Sequence, residues 1–243
     1  MLGLTVEWRI RRHMRITPIK TLAIFYLHLL ACICPNVFKR FIYNRLLGHS
    51  IHKTARIGFS FVHAGKIKME ASARIGNFNI IRNLELLAMG EHSLIEKYNR
   101  ASGLPLSNTM HFWDEADRLP ALIIGKHTAI TGKHVFDCNN TISIGDYTTI
   151  AGQNSLFYTH GINLERNRQE SEKLSIGNYC MIATRCVVVK GAKLPDCSVL
   201  AANSTLHKAW EQTHTLYSGV PAQPAKQFNE TCKYFHRDSG YTH

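Results

Sequence analysis

Aliphatic and aromatic residues recur at intervals of six along much of the chain, and this spacing restricts the possible folds more than any other feature. The segment TARIG at 54–58 is nearly matched by SARIG at 72–76, eighteen positions later. A period of six fits neither the helical period of about 3.6 residues nor a simple series of hairpins. From Ile124 onward the repeated positions are Ile124, Ile130 and Phe136, then, after a two-residue slip, Ile144, Ile150 and Leu156, and, after a gap, Ile176, Ile182, Val188, Leu194, Leu200 and Leu206.

A three-sided prism explains this spacing, because each side is one short strand with its aliphatic residue pointing inward. Small residues at the corners let the chain turn without a clash, and three sides give the eighteen-residue repeat. Dividing the repeat region by that length gives about seven coils. A β-sandwich would instead alternate, with turns about every 8 to 12 residues. The sequence therefore predicts an all-β chain that folds as a parallel β-helix, with an N-terminal helical appendage.

Two long polar stretches interrupt the ladder, at about 98–121 and 157–175. Regular coils have smooth faces, so functional groups are expected where the ladder is broken. The second interruption carries His160, and a histidine titrates near neutral pH and can act as a general base. The first carries Trp113 among charged residues (Asp114, Glu115, Asp117 and Arg118) and could form a saccharide platform. Alternatively, Trp113 anchors a surface loop to the prism.

Three further segments specify the type of protein. The coil Ile144-Gly145-Asp146-Tyr147-Thr148-Thr149-Ile150 precedes His160, segments 182–187 and 200–208 form the last coils, and SGVPAQPAKQF spans 218–228. Together with the ladder they resemble the hexapeptide-repeat acyltransferase superfamily, most closely the sugar O-acetyltransferases of bacterial surface-polysaccharide biosynthesis. The resemblance covers roughly residues 50 to 228. It implies a left-handed β-helix, a homotrimer, and transfer of an acyl group, most simply acetyl, from a CoA thioester to a sugar hydroxyl.

The resemblance also implies roles for individual residues around the acceptor. His160 corresponds to the catalytic base, and a backbone N–H of a neighbouring coil would hold the oxyanion. Asp137 matches an aspartate that contacts the acceptor, although its spacing differs by about one residue. Asn139 could bind sugar or form a corner. His134 is the other candidate base, and could instead bind the acceptor or be structural.

For the CoA thioester, the resemblance implies that Thr184 and Ala202 line the pantetheine arm. His207 and Lys208 would lie near the nucleotide, and Lys226 at the phosphate end, unless both lysines are only solvated surface cations. Ala183 and Ala201 stand where the family has glycine, and His207 where it has threonine. No metal cofactor is expected.

The N-terminal residues 1–50 carry much of the net charge of +12. Their apolar run at 21–34 is too short to span a bilayer comfortably, and 37–47 has helical spacing. Residues 17–47 could therefore contact an anionic membrane surface, or could cap the β-helix or pack between subunits. A signal peptide is the third alternative. The cytosolic cofactor argues against it and favours a cytoplasmic protein, with or without peripheral contact at the inner membrane face.

The predicted organisation is a basic helical segment (1–50), a β-helix (51–210) and a C-terminal tail that completes the CoA site (211–243). The seven cysteines include no CxxC pair, which favours free thiols in a reducing cytosol.

A zinc enzyme resembling γ-class carbonic anhydrases would need His127, His134 and His160 to converge. A non-catalytic scaffold is a further alternative. Nucleic-acid binding is not expected, because the basic excess is not interleaved with stacking groups.

Overall fold

Short parallel strands make up most of the structure, a computed structural model that describes residues 18–108 and 110–240. The N-terminal part contains helices α1 (Pro18–Ile33) and α2 (Asn36–Phe41) and a π-helical turn (Ile42–Leu46). A 3₁₀ turn (Lys233–His236) follows the last strand. The strands are β1 (Ser50–Ile51), β2 (Arg56–Ile57), β3 (Phe61–Met69), β4 (Arg74–Ile75), β5 (Ile80–Met89), β6 (Leu94–Ile95), β7 (Arg100–Ser102), β8 (Ala121–Ile124), β9 (Ala129–Ile130), β10 (Val135–Asp137), β11 (Ile142–Ile144), β12 (Thr149–Ile150), β13 (Leu156–Tyr158), β14 (His160–Asn163), β15 (Arg168–Ser171), β16 (Leu174–Ile176), β17 (Met181–Ile182), β18 (Val187–Val188), β19 (Lys193–Leu194), β20 (Val199–Leu200), β21 (Thr205–Leu206), β22 (Thr215–Gly219) and β23 (Ala222–Gln227).

The strands form a prism with three sides. Side one contains β1, β8, β11, β16, β19 and the C-terminal halves of β3 and β5. Side two contains β2, β4, β6, β9, β12, β17 and β20, one strand from each of seven coils in the described chain, and is extended by β22. Side three contains β7, β10, β13, β18, β21 and the N-terminal halves of β3 and β5. The predicted left-handed parallel β-helix is confirmed.

We number the corners by the sides that they join. The first corner joins sides one and two, the second joins sides two and three, and the third leads from side three into side one of the next coil. Ile57 pairs with Ile75, and Ile182 pairs with Leu200, each eighteen residues along the chain. The coil length predicted from the sequence is correct for these coils, whereas Ile75 pairs with Ile95 and Ile130 with Ile150, each twenty residues along the chain.

The core consists of the inward-facing ladder residues. Ile130, Ile150 and Ile182 are fully buried, and the rings of Phe136 and Phe157 stack at 4.6 Å with an interplanar angle of 11°. Each of these residues contacts the equivalent residue of the next coil, so removal of one leaves a cavity between two layers.

The small corner residues have a different role from the one predicted from the sequence. The left-handed backbone positions are often large residues, as at Tyr147 (φ 53°) and Tyr179 (φ 54°). The small residue that follows is buried and bonds the next coil: Thr148 Oγ1 donates to Gly177 O at 2.7 Å. The cysteines Cys180 and Cys186 occupy such positions as free, buried thiols. Small residues are thus required by packing inside the corner rather than by the backbone turn.

The N-terminal helices close the open end of the first coil. His28 is buried, and its Nδ1 lies 2.8 Å from Val62 O, to which the Tyr43 hydroxyl also donates at 3.1 Å. Lys39 is buried as well, and its ammonium donates to Cys32 O at 3.0 Å. The capping role considered for this segment is confirmed for the described helices, whereas Arg9, Arg11, Arg12 and Arg15 lie outside the described residues. No helix among those described is long and apolar enough to cross a membrane.

At the other end, β22 and β23 form an antiparallel hairpin that extends side two. The chain then returns along the first corner, where the Tyr234 hydroxyl donates to Cys180 O at 3.3 Å. The Arg237 guanidinium carbon lies 3.9 Å from the centre of the Tyr234 ring, and Arg237 Nη2 donates to Tyr147 O. The C-terminal tail therefore covers the first corner of the chain to which it belongs.

We expect Phe157→Ala to lower the free energy of unfolding by about 3–5 kcal/mol, because it removes half of a stacked pair from a fully packed layer. Urea unfolding followed by circular dichroism measures the change. The matched control is Phe38→Ala, at a ring that is 62% exposed, which should alter stability by about 0.5 kcal/mol or less. Equal losses in the two variants would contradict the packing described here.

Candidate active site

Both insertions leave the prism at the third corner. The first connects β7 to β8 and covers 103–120, and the second connects β13 to β16 and covers 159–173. The first is shorter than predicted, because residues 100–102 pair with β10 as a regular strand of side three. Since both loops start from the same corner, they project from the same edge of the prism.

The insertions bind each other through charged side chains. Arg168 Nη1 donates to Asp114 Oδ2 at 2.6 Å, and the Ser171 backbone N–H donates to Glu115 Oε1 at 2.7 Å. The Ser171 hydroxyl also bonds the Glu115 carboxylate. Two loops that are far apart in sequence therefore form one lobe above the corner.

A cleft of about 380 Å³ lies between the two loops. Trp113 lies on this cleft and is 75% exposed, so it does not anchor the loop to the prism. The anchor is the neighbouring Phe112, which is 5% exposed. The lining residues are Met110, His111, Phe112, Trp113, Asp114, Ile162, Asn167, Arg168 and Gln169.

His160, Asp137 and Asn139 form a cluster at the base of this lobe. His160 Nδ1 lies 3.2 Å from Asp137 Oδ1 and 3.0 Å from Asn139 Nδ2. Asn139 Nδ2 donates to the same carboxylate oxygen at 2.7 Å. The His160 ring also meets the edge of Phe112, with ring centres 6.2 Å apart, which connects the cluster to the cleft.

The carboxylate decides which ring nitrogen of His160 carries the proton. An ionised carboxylate only accepts hydrogen bonds, so Nδ1 donates to Asp137, and Asn139 is a neighbour rather than a donor to the ring. Nε2 then has a free lone pair and forms no hydrogen bond within the described chain. With its side chain 27% exposed, His160 can take a proton from a group bound beside it.

The surroundings of His160 raise the pKa of its imidazole above the ordinary value. The hydrogen bond to Asp137 is the main cause, partial burial acts in the opposite direction, and the charge of Asp137 adds to the increase. The imidazole is therefore a stronger base than an isolated histidine.

Backbone contacts hold this cluster in position. The buried Thr159 hydroxyl donates to Asp137 O at 2.8 Å and accepts the Asn140 N–H at 2.9 Å. Asn139 Oδ1 accepts the Leu104 N–H at 2.8 Å, which ties the first insertion to the corner.

Arg118 is buried below the first insertion rather than exposed on a saccharide platform. Its guanidinium donates to Leu104 O at 2.8 Å and to Asn139 O at 3.0 Å, and lies 5.1 Å from the centre of the Phe112 ring. Sequence reasoning did not identify Phe112, and it took Arg118 for a surface group. No local pattern marks either residue as buried, because both depend on how the insertion folds back.

His134 lies at the second corner and has no exposed surface. Its Nδ1 accepts the Ser155 N–H at 3.2 Å, and its Nε2 lies 3.0 Å from Thr131 Oγ1. Burial lowers the pKa of this imidazole to about 4. Of the roles considered for His134 (catalytic base, acceptor binding or structural), this environment favours the structural one.

The residues predicted to bind CoA are distributed over different parts of one chain. Thr184 and Ala202 lie at the second corner, after β17 and β20, whereas His207 and Lys208 follow β21 at the third corner. Lys226 belongs to β23 and pairs with Leu216 on side two. His207 and Lys208 lie on the same edge of the prism as His160, two coils away. Thr184, Ala202 and Lys226 do not lie on this edge.

The three histidines considered for zinc do not converge. His127 stacks between His92 and Tyr147 at the first corner, with ring centres 4.9 Å from each. His134 lies at the second corner and His160 at the third, so one chain does not bring them together. Among the described residues, no group of three or more His, Cys, Asp or Glu side chains is arranged to hold a metal ion.

No protein-family model and no curated protein matches this sequence. Solved structures with a related fold include a hexapeptide-repeat acetyltransferase of Vibrio cholerae complexed with acetyl-CoA, at 18% identity and a TM-score of 0.43, covering 88% of this chain and 92% of that chain. A maltose O-acetyltransferase of Clostridium difficile has 14% identity and a TM-score of 0.37, covering 86% of each chain.

Another such structure is an N-acyltransferase of Bacillus cereus complexed with dTDP-4-amino-4,6-dideoxyglucose and coenzyme A. It has 15% identity and a TM-score of 0.43, and the match covers 74% of this chain and 84% of that chain.

We expect Asp137→Asn to lower the pKa of the His160 imidazole, because the amide supplies no negative charge to the Nδ1 proton. An NMR titration of the imidazole resonances, assigned with His160→Gln, measures the shift. Since the folded-state pKa is raised, Asp137 contributes its full stabilisation below about pH 6.5 and loses it as the pH rises through the folded-state pKa. The stability difference between wild type and variant should therefore be larger at acidic pH.

The matched control is Glu172→Gln. Its carboxylate lies in the same insertion as His160 but accepts a hydrogen bond from Lys190 at 2.8 Å rather than from the imidazole. This variant should leave the His160 pKa unchanged, and an unchanged pKa in Asp137→Asn would contradict the proton assignment.

Proposed function

We propose that this protein is an acyl-CoA-dependent O-acyltransferase, most simply an O-acetyltransferase, that modifies a sugar hydroxyl with His160 as the general base. The observation that supports this most directly is the Asp137–His160 pair, whose imidazole contacts Phe112, a lining residue of the cleft between two polar loops. A base with a raised pKa and an ordered proton is what deprotonation of a weakly acidic hydroxyl requires.

The reaction needs few protein groups. The acceptor hydroxyl oxygen attacks the thioester carbonyl while its proton moves to His160 Nε2, and Asp137 stabilises the imidazolium that forms. The tetrahedral intermediate then collapses to the ester, and the sulfur of CoA leaves and takes up the proton. No covalent enzyme intermediate is involved. The buried cysteines Cys138 and Cys180 are unsuited to act as nucleophiles, because burial raises their pKa values.

The cleft supports a saccharide as the acceptor. The exposed Trp113 ring can stack on the apolar face of a sugar. Asp114, Asn167, Arg168 and Gln169 offer both hydrogen-bond acceptors and donors around it. Phe112 lines the cleft and contacts His160, and we propose that the acceptor hydroxyl lies at the end of the cleft nearest this contact. The acceptor is a unit of a polysaccharide, a glycolipid or a nucleotide sugar in a bacterial cytoplasm.

The donor proposal rests on the resemblance of the last coils to hexapeptide-repeat acyltransferases. Thr184 and Ala202 belong to one corner, and His160 and Lys208 belong to another. A homotrimer accounts for this separation, because the second corner of one subunit can face the third corner of its neighbour. Lys208 and Lys226 would then meet phosphate groups as cations.

We expect His160→Ala to lower transfer about 10²- to 10⁴-fold, as removal of a general base does, without loss of acetyl-CoA binding. Thiol release with a panel of sugars and nucleotide sugars measures transfer, and calorimetry measures binding. The wild-type rate should fall as the pH drops below the His160 pKa, since the protonated ring cannot act as a base. His52→Ala is the control and should keep full activity, because His52 is an exposed histidine of the first coil and lies outside the His160 corner. Full transfer by His160→Ala would exclude His160 as the base.

We expect Lys208→Ala/Lys226→Ala to weaken acetyl-CoA binding about tenfold or more, since contacts to charged groups contribute roughly 1.5–3 kcal/mol each. Lys173→Ala, at an exposed lysine near Asp117, is the control in the same titration. If wild type does not bind acetyl-CoA at millimolar concentration, the proposed activity is wrong. Metal analysis then tests the zinc alternative, and a metal-free, inactive protein would favour the scaffold.

The proposal that two subunits share each active site can be tested by mixing variant subunits. His160→Ala and a Thr184→Trp variant, which fills the second corner, should each be inactive alone. Refolded together they should regain part of the wild-type activity, because some sites then combine an intact His160 with an intact Thr184 from another subunit. Mixed trimers, verified by light scattering, that stay inactive would show that one chain supplies both residues.

A further inference from the structure

Helix α1 is apolar around its whole circumference, but only one side of it is covered. Its inner side packs on the first coil through Leu27, His28 and Ala31. Its outer side carries large apolar residues at helical spacing, each about half exposed or more: Leu22, Phe25, Tyr26, Leu29, Leu30 and Ile33. A helix that is apolar on all sides is expected to be buried on all sides. The outer side of α1 therefore lacks a partner in the described chain.

This apolar surface continues beyond α1. On α2 and the turn that follows, Val37, Phe38, Phe41 and Leu46 are all more than half exposed. At the second corner, Phe59 and Phe78 border an apolar groove of about 330 Å³ that reaches Ile33. Large contiguous apolar patches are uncommon on soluble surfaces and mark contact sites.

The sequence segment that includes both helices and the first coil is rich in cations. Between residues 8 and 69 the sequence has no Asp or Glu, and its twelve Lys and Arg residues equal the net charge of the whole chain, +12. Arg45, Lys53 and Arg56 are exposed on the first coil and the turn before it. The cations are Arg9, Arg11, Arg12, Arg15, Lys20, Lys39, Arg40, Arg45, Lys53, Arg56, Lys66 and Lys68.

We propose that this end of the prism, the outer faces of α1 and α2 with the surrounding cations, is a docking surface for an anionic lipid bilayer. An apolar helical face bordered by Lys and Arg lies in the headgroup region, with apolar side chains among the acyl chains and cations at the phosphates. With 16 residues, α1 is too short to span a bilayer, so it lies in the surface plane. A contact between two copies through this end would bring two acid-free cationic segments together, whereas anionic lipid supplies the opposite charge.

Vesicle sedimentation of the full-length protein tests this proposal. Vesicles of phosphatidylcholine with about one third phosphatidylglycerol should bind the protein, and phosphatidylcholine vesicles should bind it far less. Leu29→Ser/Ile33→Ser should weaken binding more than tenfold, since two large side chains no longer enter the acyl region. Arg45→Gln/Lys53→Gln should weaken it about fivefold per cation and reduce its dependence on salt.

Matched controls separate docking from general effects. Leu164→Ser removes a leucine that is 87% exposed on the second insertion, and Lys173→Gln/Lys193→Gln removes two cations elsewhere. All controls should bind vesicles as wild type does, and His160→Ala should too, so that this result is independent of the proposed enzyme activity. Circular dichroism verifies that each variant folds.

Two results would overturn the proposal. One is wild-type protein that does not sediment with anionic vesicles, or face variants that sediment as well as wild type. The other is a lower oligomeric mass of Leu29→Ser/Ile33→Ser in light scattering without vesicles, which would identify the face as an interface between copies.

Discussion

Hydrogen bonding between successive coils is the constraint on which the rest of the structure depends. Each short strand pairs with the equivalent strands of the coils before and after it, as Ile150 does with Ile130 and Ile182. An extra residue within a side would break two ladders and leave buried backbone groups unpaired. Only the corners can accept insertions. Both long insertions accordingly start at a corner, and the candidate site residues Asp137, Asn139 and His160 lie there.

The same register creates the candidate site. Asp137 is the last residue of β10 and pairs with Tyr158, the last residue of β13. His160 comes two residues later, so the pairing of two neighbouring strands is enough to bring the carboxylate and the imidazole together. The insertions then add what the coils cannot supply, a cleft with Phe112 as its inner wall. A rigid scaffold thus holds the carboxylate–imidazole pair, while the loops shape the cleft that we propose for the acceptor.

The two ends of the prism have different surface chemistry. The C-terminal end is completed by the chain itself, through the β22–β23 hairpin and the returning tail at the first corner. The N-terminal end is closed by α1, α2 and the turn that follows, whose inner faces pack on the first coil and hydrogen-bond to Val62 O. Their outer faces stay apolar and are flanked only by cations between residues 8 and 69. Capping and the proposed membrane contact are therefore compatible, because they use opposite sides of the same helices.

The sequence by itself determined the periodic features: the eighteen-residue coil, the inward ladder and the two interruptions. These follow from local spacing, since each coil contacts only its neighbours. Only the tertiary structure decided the burial of Arg118 and Phe112, the enclosed position of His134, and the separation of Thr184 from Lys208. Those properties depend on how irregular loops fold back and on which corner a residue occupies. Neither is encoded in a repeat, because loop packing is set by contacts between distant segments such as Asp114 and Arg168.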